Sequence, residues 1–377
     1  MHKIVLMCGI GVFGACVGAP DDAAGAATSV ATSYGFSYRP MGFARITPAG
    51  SGCRVATGFD SASNLSSAVT VSCTPGHYAV NFAGLGTTSG ADGDGGQAQV
   101  TAEGTDNTRC RVMSWGGSTN LTVNVECNTP GGTAADSPFA VLYYRSTQPS
   151  SNTQPANAAY TWRPAGGAFW PYWDYNSSGT HNSVTTLATG QYRVTIPHAT
   201  FINASMMVTA YNGTSGGAVC GILGWGSGYA DVECRNSSNQ LVDSGFSFSY
   251  ATTGPTIDQQ GAHAWFNGTS ADPSYSAALG KVTCSPASVT GSRSGSLVTI
   301  IVSGDLGSWD ASPFLRASLS SGYGGANYCK VETLTVSGVA PNSTATTTLR
   351  CYDAAGTEIA APRLTFTHVT SDASGPC

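Results

Sequence analysis

Apolar and polar residues alternate with a period of two along most of this chain, and Gly, Pro and Asn interrupt the alternation roughly every 8 to 12 residues. Side chains on an extended strand point to opposite faces in turn, so this pattern predicts short β-strands with one face buried. Outside the N-terminal apolar segment, no stretch carries the 3.6-residue period of an amphipathic helix.

The strongest local pattern is a cysteine-framed hairpin: Cys110-Arg-Val … Val-Asn-Val-Glu-Cys127, Cys220-Gly-Ile … Ala-Asp-Val-Glu-Cys234 and Cys329-Lys-Val … Thr-Thr-Leu-Arg-Cys351. A fourth version, Cys53-Arg-Val … Val-Thr-Val-Ser-Cys73, precedes them. In an antiparallel pair the numbers of facing residues share one sum, so a Cys110–Cys127 pair sets Arg111 against Glu126 and Val112 against Val125. By the same rule Ile222 faces Val232 and Val331 faces Leu349. The valines then share the disulfide's face, and the Arg/Glu pair points to the other.

Further positions recur at a spacing of about 105 to 115 residues. Tyr160-Thr-Trp162 is echoed by His263-Ala-Trp265, and Thr189-Gly190-Gln-Tyr-Arg-Val-Thr-Ile196 by Pro75-Gly76-His-Tyr-Ala-Val-Asn-Phe82 and Ser294-Gly295 … Val-Thr-Ile300. Val208-Thr-Ala-Tyr211 matches Val100-Thr-Ala-Glu103, and one more strand follows each hairpin, at Phe139–Tyr143, Phe246–Tyr250 and Leu364–His368. The expected fold is all-β: three tandem disulfide-bonded antiparallel β-sandwich domains of Ig-like size over residues 30–148, 158–252 and 261–377. Polar segments at 146–157 and 251–260 would join them.

The string Tyr-x-Trp … Tyr-Asn-Ser-Ser-Gly … Thr-Gly-x-Tyr-x-Val … Val-Thr-Ala-Tyr … Cys … Trp-Gly … Val-x-Cys … Asp-Ser-x-Phe-x-Phe, over residues 159–252, resembles a family of tandem-repeat proteins secreted by high-GC bacteria. Residues 76–146 share it well and 262–370 loosely. The resemblance implies export and repetition and supplies no active site.

Composition supports export. Charged residues make up only 10% of the 377, against a usual figure of about 25%, while 41% are hydrophobic, enough to build a core and too many for a disordered chain. A net charge of −5 with no basic stripe excludes the usual nucleic-acid partner. Lys3 followed by the apolar run Ile4–Ala15 reads as a signal peptide over residues 1–15, too short to span a bilayer. Phe13-Gly14-Ala15-Cys16 resembles a bacterial lipobox; Cys16 would then carry the lipid, the chain's one membrane attachment, and residues 16–29 would be a flexible tether. An ordinary signal-peptidase cut is the rival.

Of the twelve cysteines, Cys8 falls in the signal and Cys16 takes the lipid. Four hairpin pairs use eight, and Cys284 and Cys377 are left to pair with each other. An even count in an exported chain reads as structural disulfides, and no C-x-x-C spacing suggests zinc. Each bridge should contribute roughly 2 to 4 kcal/mol.

No constellation calls for a cofactor or a metal. Asp92-Gly-Asp94 with Glu103 imitates a Ca²⁺ loop but has Gln97 where the sharp turn requires glycine. His77, His181, His198, His263 and His368 are scattered without ligand spacing. Gly213-Thr-Ser215-Gly-Gly217 looks like a nucleophilic-serine turn, yet Thr214 replaces the acidic neighbour and no helix follows as an elbow requires. A hydrolase using Ser215 is therefore the least favoured function, and no catalytic residue is assigned. The best candidate surface is aromatic: Phe169, Trp170, Tyr172, Trp173, Asp174 and Tyr175, with Tyr160 and Trp162 close by in sequence. Flat rings beside Asp and Asn suit a sugar face. The expected role is thus structural or adhesive at the cell exterior, with an envelope glycan or another envelope protein as partner.

Overall fold

A computed structural model describes residues 40–49, 52–60, 69–87, 95–146, 156–166, 173–200, 204–211, 217–251, 261–267, 288–304, 316–322, 324–338, 343–360 and 362–370. They contain no α-helix. The first repeat comprises β1 (Met41–Ala49), β2 (Gly52–Asp60), β3 (Val69–Thr74), β4 (His77–Phe82), β5 (Gln97–Ala102), β6 (Arg109–Gly116), β7 (Leu121–Asn128) and β8 (Phe139–Tyr144). The second comprises β9 (Ala158–Arg163), β10 (Tyr175–Asn176), β11 (Ser183–Ala188), β12 (Gln191–Thr195), β13 (Ser205–Tyr211), β14 (Val219–Gly226), β15 (Tyr229–Arg235) and β16 (Gly245–Ala251). The third comprises β17 (Gly261–Asn267), β18 (Ser288–Ser294), β19 (Leu297–Gly304), β20 (Arg316–Gly322), β21 (Tyr328–Ser337), β22 (Ser343–Tyr352) and β23 (Arg363–Thr370).

One pairing scheme is used three times. A first set of strands runs β1-β8-β5, β9-β16-β13 and β17-β23-β20, with β2 and β10 added at the edge of the first two. A second set runs β3-β4-β7-β6, β11-β12-β15-β14 and β18-β19-β22-β21. The cysteine hairpins are β6–β7, β14–β15 and β21–β22. Their registers match the sum rule: Arg111 opposite Glu126, Ile222 opposite Val232 and Val331 opposite Leu349. Cys110–Cys127, Cys220–Cys234 and Cys329–Cys351 are bonded, with Cα atoms 4.0, 4.1 and 3.9 Å apart.

Two features depart from the expected pattern. Cys53 and Cys73 are bonded, but they lie on β2 and β3, strands of different sheets whose Cα atoms stand 6.1 Å apart. That bridge ties sheet to sheet and frames no hairpin. In addition, each of the three true hairpins slips register two residues after its first cysteine, at Val112/Ser114, Ile222/Gly224 and Val331/Thr333. A bulge there bends the strand, and it recurs at the same place each time. Cys284 and Cys377, the segments 147–155 and 252–260, and Cys16 lie outside the described residues.

Within each repeat the two sets of strands contribute to one buried apolar cluster. Phe139, Val141 and Tyr143 meet Val80, Phe82 and Val123 in the first. Phe246 and Phe248 meet Tyr192 and Val232 in the second, and Leu364 and Phe366 meet Val298 and Leu349 in the third. The second set alternates in burial as a half-wet sheet should, most clearly in β7 and β22. The first set does not alternate: β5, β8 and β16 are buried along their whole length, and so is β23 from Leu364 to His368.

Those doubly buried strands carry polar residues on the face turned away from their own core, and a neighbouring repeat satisfies them. Gln97 Nε2 donates to Ser247 Oγ (2.9 Å), and Ser247 Oγ donates to the Ala98 carbonyl (2.5 Å). Gln99 Nε2 donates to the Ser247 carbonyl at 3.2 Å, and Thr209 Oγ1 donates to Gln99 Oε1. On the other side of the second repeat, Thr365 Oγ1 donates to the Met206 carbonyl (2.5 Å), and Ser205 and Thr367 share a bond of 2.8 Å. An apolar cluster of Phe43, Leu142, Tyr144, Tyr160, Tyr175 and Met207 completes the contact between first and second repeats.

The strand before each cysteine hairpin (β5, β13 and β20) leads onto the cysteine hairpin of another repeat, and the order is cyclic. Tyr211 of the second pairs with Val112 of the first, in parallel. Gly324 of the third donates to the Ile222 carbonyl of the second (2.6 Å). Glu103 of the first pairs with Val331 of the third, and Gly104 donates to the Val331 carbonyl (2.9 Å). Val112, Ile222 and Val331 are equivalent positions, each two residues past a hairpin cysteine. The repeats thus close a ring, and Tyr38–Cys377 forms one compact unit.

The Gly-x-Tyr and Asp-Ser motifs lock each other. In the first repeat, Gly76 N–H and Tyr78 OH both donate to Asp136 Oδ1 (2.8 and 2.9 Å), and in the second Gly190 N–H and Tyr192 OH do the same to Asp243 Oδ1 (3.0 Å each). Ser137 N–H and Ser244 N–H then donate to the two phenol oxygens. Both glycines have φ near +70°, and a β-carbon on either would lie within 2.8 Å of backbone.

Two predictions follow from these contacts. Lys330 is fully buried and its Nζ pairs with Asp106 of the first repeat, whose side chain is 62% exposed. Asp106→Ala strands a buried ammonium and should cost roughly 3 kcal/mol, whereas Lys330→Met returns a carboxylate to water and should cost under about 1 kcal/mol. Urea midpoints of the two variants read the asymmetry. The Gly190 N–H and Tyr192 OH hold the Asp243 carboxyl below its ordinary 3.8. Its contribution is therefore complete above that value and lost as pH falls through the lower folded pKa. Asp243→Asn should be less stable than wild type near about pH 7, and the two curves should converge in acid as the wild-type carboxylate takes up its proton, read in acid titrations of the melting temperature.

Candidate functional site

The predicted aromatic stretch divides in two. Tyr160 on β9 and Tyr175 on β10 are cross-strand partners with rings stacked at 5.3 Å, both fully buried between the first and second repeats. The Tyr160 hydroxyl donates to the Ser146 carbonyl and accepts from the Ser146 N–H, each at 2.9 Å, and burial pushes its pKa well above the ordinary value. Asp174 is also sealed; it accepts from the Asn182 N–H (2.5 Å) and pairs with His181 Nδ1 (2.9 Å). These three residues hold the start of the second repeat in place and present nothing to a ligand.

Trp162 and Trp173 remain partly exposed. The alternation of β9 explains Trp162: Tyr160 and Trp162 share one face of the strand, but Trp162 stands near its end, beyond the cover of β10. Its ring lies 5.3 Å from Trp173, 5.1 Å from Tyr211 and 6.0 Å from Trp115, with Trp115 and Tyr211 5.0 Å apart, mostly edge to face. Trp115 donates its indole N–H to the Gly95 carbonyl at 2.6 Å. Trp173 packs against Gly95, where a β-carbon would come within 1.9 Å of ring atom Cε3. The Trp162 indole N–H is buried and has no acceptor among the described residues. Phe169, Trp170 and Tyr172 lie outside the described residues.

The cluster therefore draws on both repeats, and its first-repeat half was not anticipated. Trp115 sits five residues past Cys110, as Trp225 does past Cys220, and Tyr211 occupies the position that Glu103 holds in the first repeat. Both signals stand in the repeat pattern, but nothing local says that the hairpin of one repeat meets the pre-hairpin strand of the next.

The other candidates are dispersed. Glu103 is engaged by Arg45 in a two-pronged ion pair (2.8 and 2.7 Å), and Asp92, Asp94 and Ser215 lie outside the described residues. His263 and His368 are buried, and His77 is exposed. Among the described residues no group of three His, Cys, Asp or Glu is placed to hold a metal, and no helix is long and apolar enough to cross a membrane. Comparison with protein families, curated proteins and solved structures finds no match.

The close seat of Trp173 generates a test. Gly95→Ala must displace the Trp173 ring and separate it from Trp162, so tryptophan emission should shift to the red and near-ultraviolet circular dichroism should weaken. The melting temperature should fall by only a few degrees, since the ring sits at the edge of the joint (roughly 1 kcal/mol).

Proposed function

We propose that this chain is a non-catalytic protein of the cell exterior, exported by its N-terminal segment and anchored through a lipid on Cys16, with a structural or adhesive role. The observation that carries the reading is the placement of the hairpin disulfides. Each bridges the strand pair on which another repeat's pre-hairpin strand ends, so the cross-links brace the joints of the ring. Bonds of this kind persist in oxidising compartments and are consistent with an extracellular location. In our reading the body is three two-sheet β-sandwich modules, each dependent on the other two. Such an object resists proteolysis and suits a spacer or presenting platform. The likeness to secreted tandem-repeat proteins points the same way.

A second reading, recognition of an envelope glycan, is favoured by the partly exposed pair Trp162 and Trp173. Their indole faces could stack on a pyranose ring at the edge of the first joint.

Metabolic labelling with an alkyne fatty acid should mark the wild-type protein and not Cys16→Ser, and protease treatment of intact cells should reach the anchored chain. Unlabelled protein retained in the cytoplasm would defeat the exterior role. Binding on a glycan array lost in Trp173→Ala would move the function to recognition. Covalent labelling of Ser215 by a fluorophosphonate would replace both readings with a hydrolase.

A further inference from the structure

The three joints surround a pocket of about 40 Å³ to which every repeat contributes: Thr101 of β5, Thr209 of β13, and the hairpin starts at Arg109, Val219 and Tyr328. A water needs roughly 10 to 15 Å³ measured in this way, so the space suits one small ion with a water or two, and no organic ligand.

The charge beside it is unusual. Arg109 is only 4% exposed. Its Nη1 donates to the Ala354 carbonyl of the third repeat (2.6 Å), and its Nη2 donates to the Pro130 carbonyl of its own (3.2 Å). The guanidinium lies 5.8 Å from the centre of the Tyr328 ring, and Nη2 is 3.2 Å from where a β-carbon on Gly217 of the second repeat would sit. One side chain thus touches all three repeats. Among the described residues its acceptors are carbonyls, which leave the positive charge unneutralised, and its Nε–H has no acceptor.

Neighbouring cations are matched: Arg111 bonds Glu126 at 3.0 Å, and Lys330 bonds Asp106. Arg109 has no carboxylate within ion-pair distance among the described residues, although Tyr328 and Asp353 exert some pull while Arg111 pushes against it. Burial lowers its pKa, but an arginine keeps its proton in proteins. A buried unpaired charge is destabilising by several kcal/mol unless a counterion joins it. Asn128, which lines the same pocket and is buried, adds an amide.

We infer that this central pocket is a binding site for a small monovalent anion of the halide class, held against the Arg109 guanidinium as a structural counterion where the three repeats meet. A halide has the needed charge and size, and it is abundant outside cells. The five N–H groups of a guanidinium leave donors for it after two are given to carbonyls.

The test uses the whole oxidised protein. Crystals soaked in sodium bromide should show an anomalous bromide peak in this pocket, within hydrogen-bond distance of the Arg109 side chain. In solution the melting temperature should be higher in chloride than in gluconate at equal ionic strength, saturably and by roughly 2 to 4 °C, and Arg109→Gln should abolish the difference. Water alone in the pocket, bromide bound only elsewhere, or a chloride response retained by Arg109→Gln would overturn the assignment. Should Arg109→Gln fail to fold, the wild-type bromide peak and chloride response decide it.

Discussion

The constraint on which this fold rests is that its inner strands are buried on both faces while carrying polar side chains on one of them. Gln97, Gln99, Ser205, Thr209, Ser247, Thr365 and Thr367 are all buried. A buried amide or hydroxyl without a partner costs about 1 to 3 kcal/mol, so seven of them could not be left unsatisfied in a protein whose net stability is roughly 5 to 15 kcal/mol. Their partners belong to other repeats. A repeat taken alone would return these groups to water, but it would also expose Phe43, Leu142 and Tyr144, which now face the second repeat. Polar groups set the register of one repeat on the next, and apolar groups make separation costly. Neither alone would yield a single docked geometry.

That dependence gives the disulfides their place. The hairpins they close are short, with the cysteines 17, 14 and 22 positions apart, so the loop-closure contribution of each is modest. More is gained from position. The bridge fixes the second rung of the ladder, and two residues later the neighbour's strand arrives at the residue where the bulge begins. A hairpin free to slip by one residue would turn Val112, Ile222 or Val331 out of the core and misplace the carbonyl that receives Gly104 or Gly324. The fourth bridge, Cys53–Cys73, serves a different end, joining the two sheets of the first repeat at their far edge.

Local order was legible in the sequence wherever the interaction is local. Facing pairs in three hairpins, the Gly-x-Tyr turns and the strands after each hairpin follow from alternation and from residue spacing. Cys53 was misread because a Cys-Arg-Val run looks the same whether its partner lies on the paired strand or on the opposite sheet. Arg111 is a subtler case. Alternation correctly turns it away from the core, which in an isolated sheet means toward water, yet that face lines the pocket shared by the three repeats and Arg111 is buried. Tyr160 and Tyr175 were taken for a ligand surface because an aromatic-rich run holds more ring area than one sheet face can bury. The face of the first repeat absorbs both rings. In each instance the missing information is a contact between different sheets or different repeats, and such contacts leave no periodic trace.

The ring repeats its backbone more faithfully than its side chains, and the difference between joints is where function has room to enter. At the joint of the third repeat on the second, a β-carbon at Gly221 would lie 2.1 Å from the Gly325 carbonyl, so that contact is backbone against backbone. Where the first repeat meets the third, the position equivalent to Gly221 is Lys330, and the contact is ionic, with Tyr328 and Tyr352 hydroxyls donating to the Asn107 and Thr105 carbonyls (2.5 and 3.1 Å). At the remaining joint Tyr211, Trp115, Trp162 and Trp173 form an aromatic edge. Three joints held by one common strand contact need not all be optimised for stability. The glycine-tight joint and the ionic joint keep the ring closed, and the aromatic joint is left with partly exposed indoles, which a purely cohesive contact would have buried.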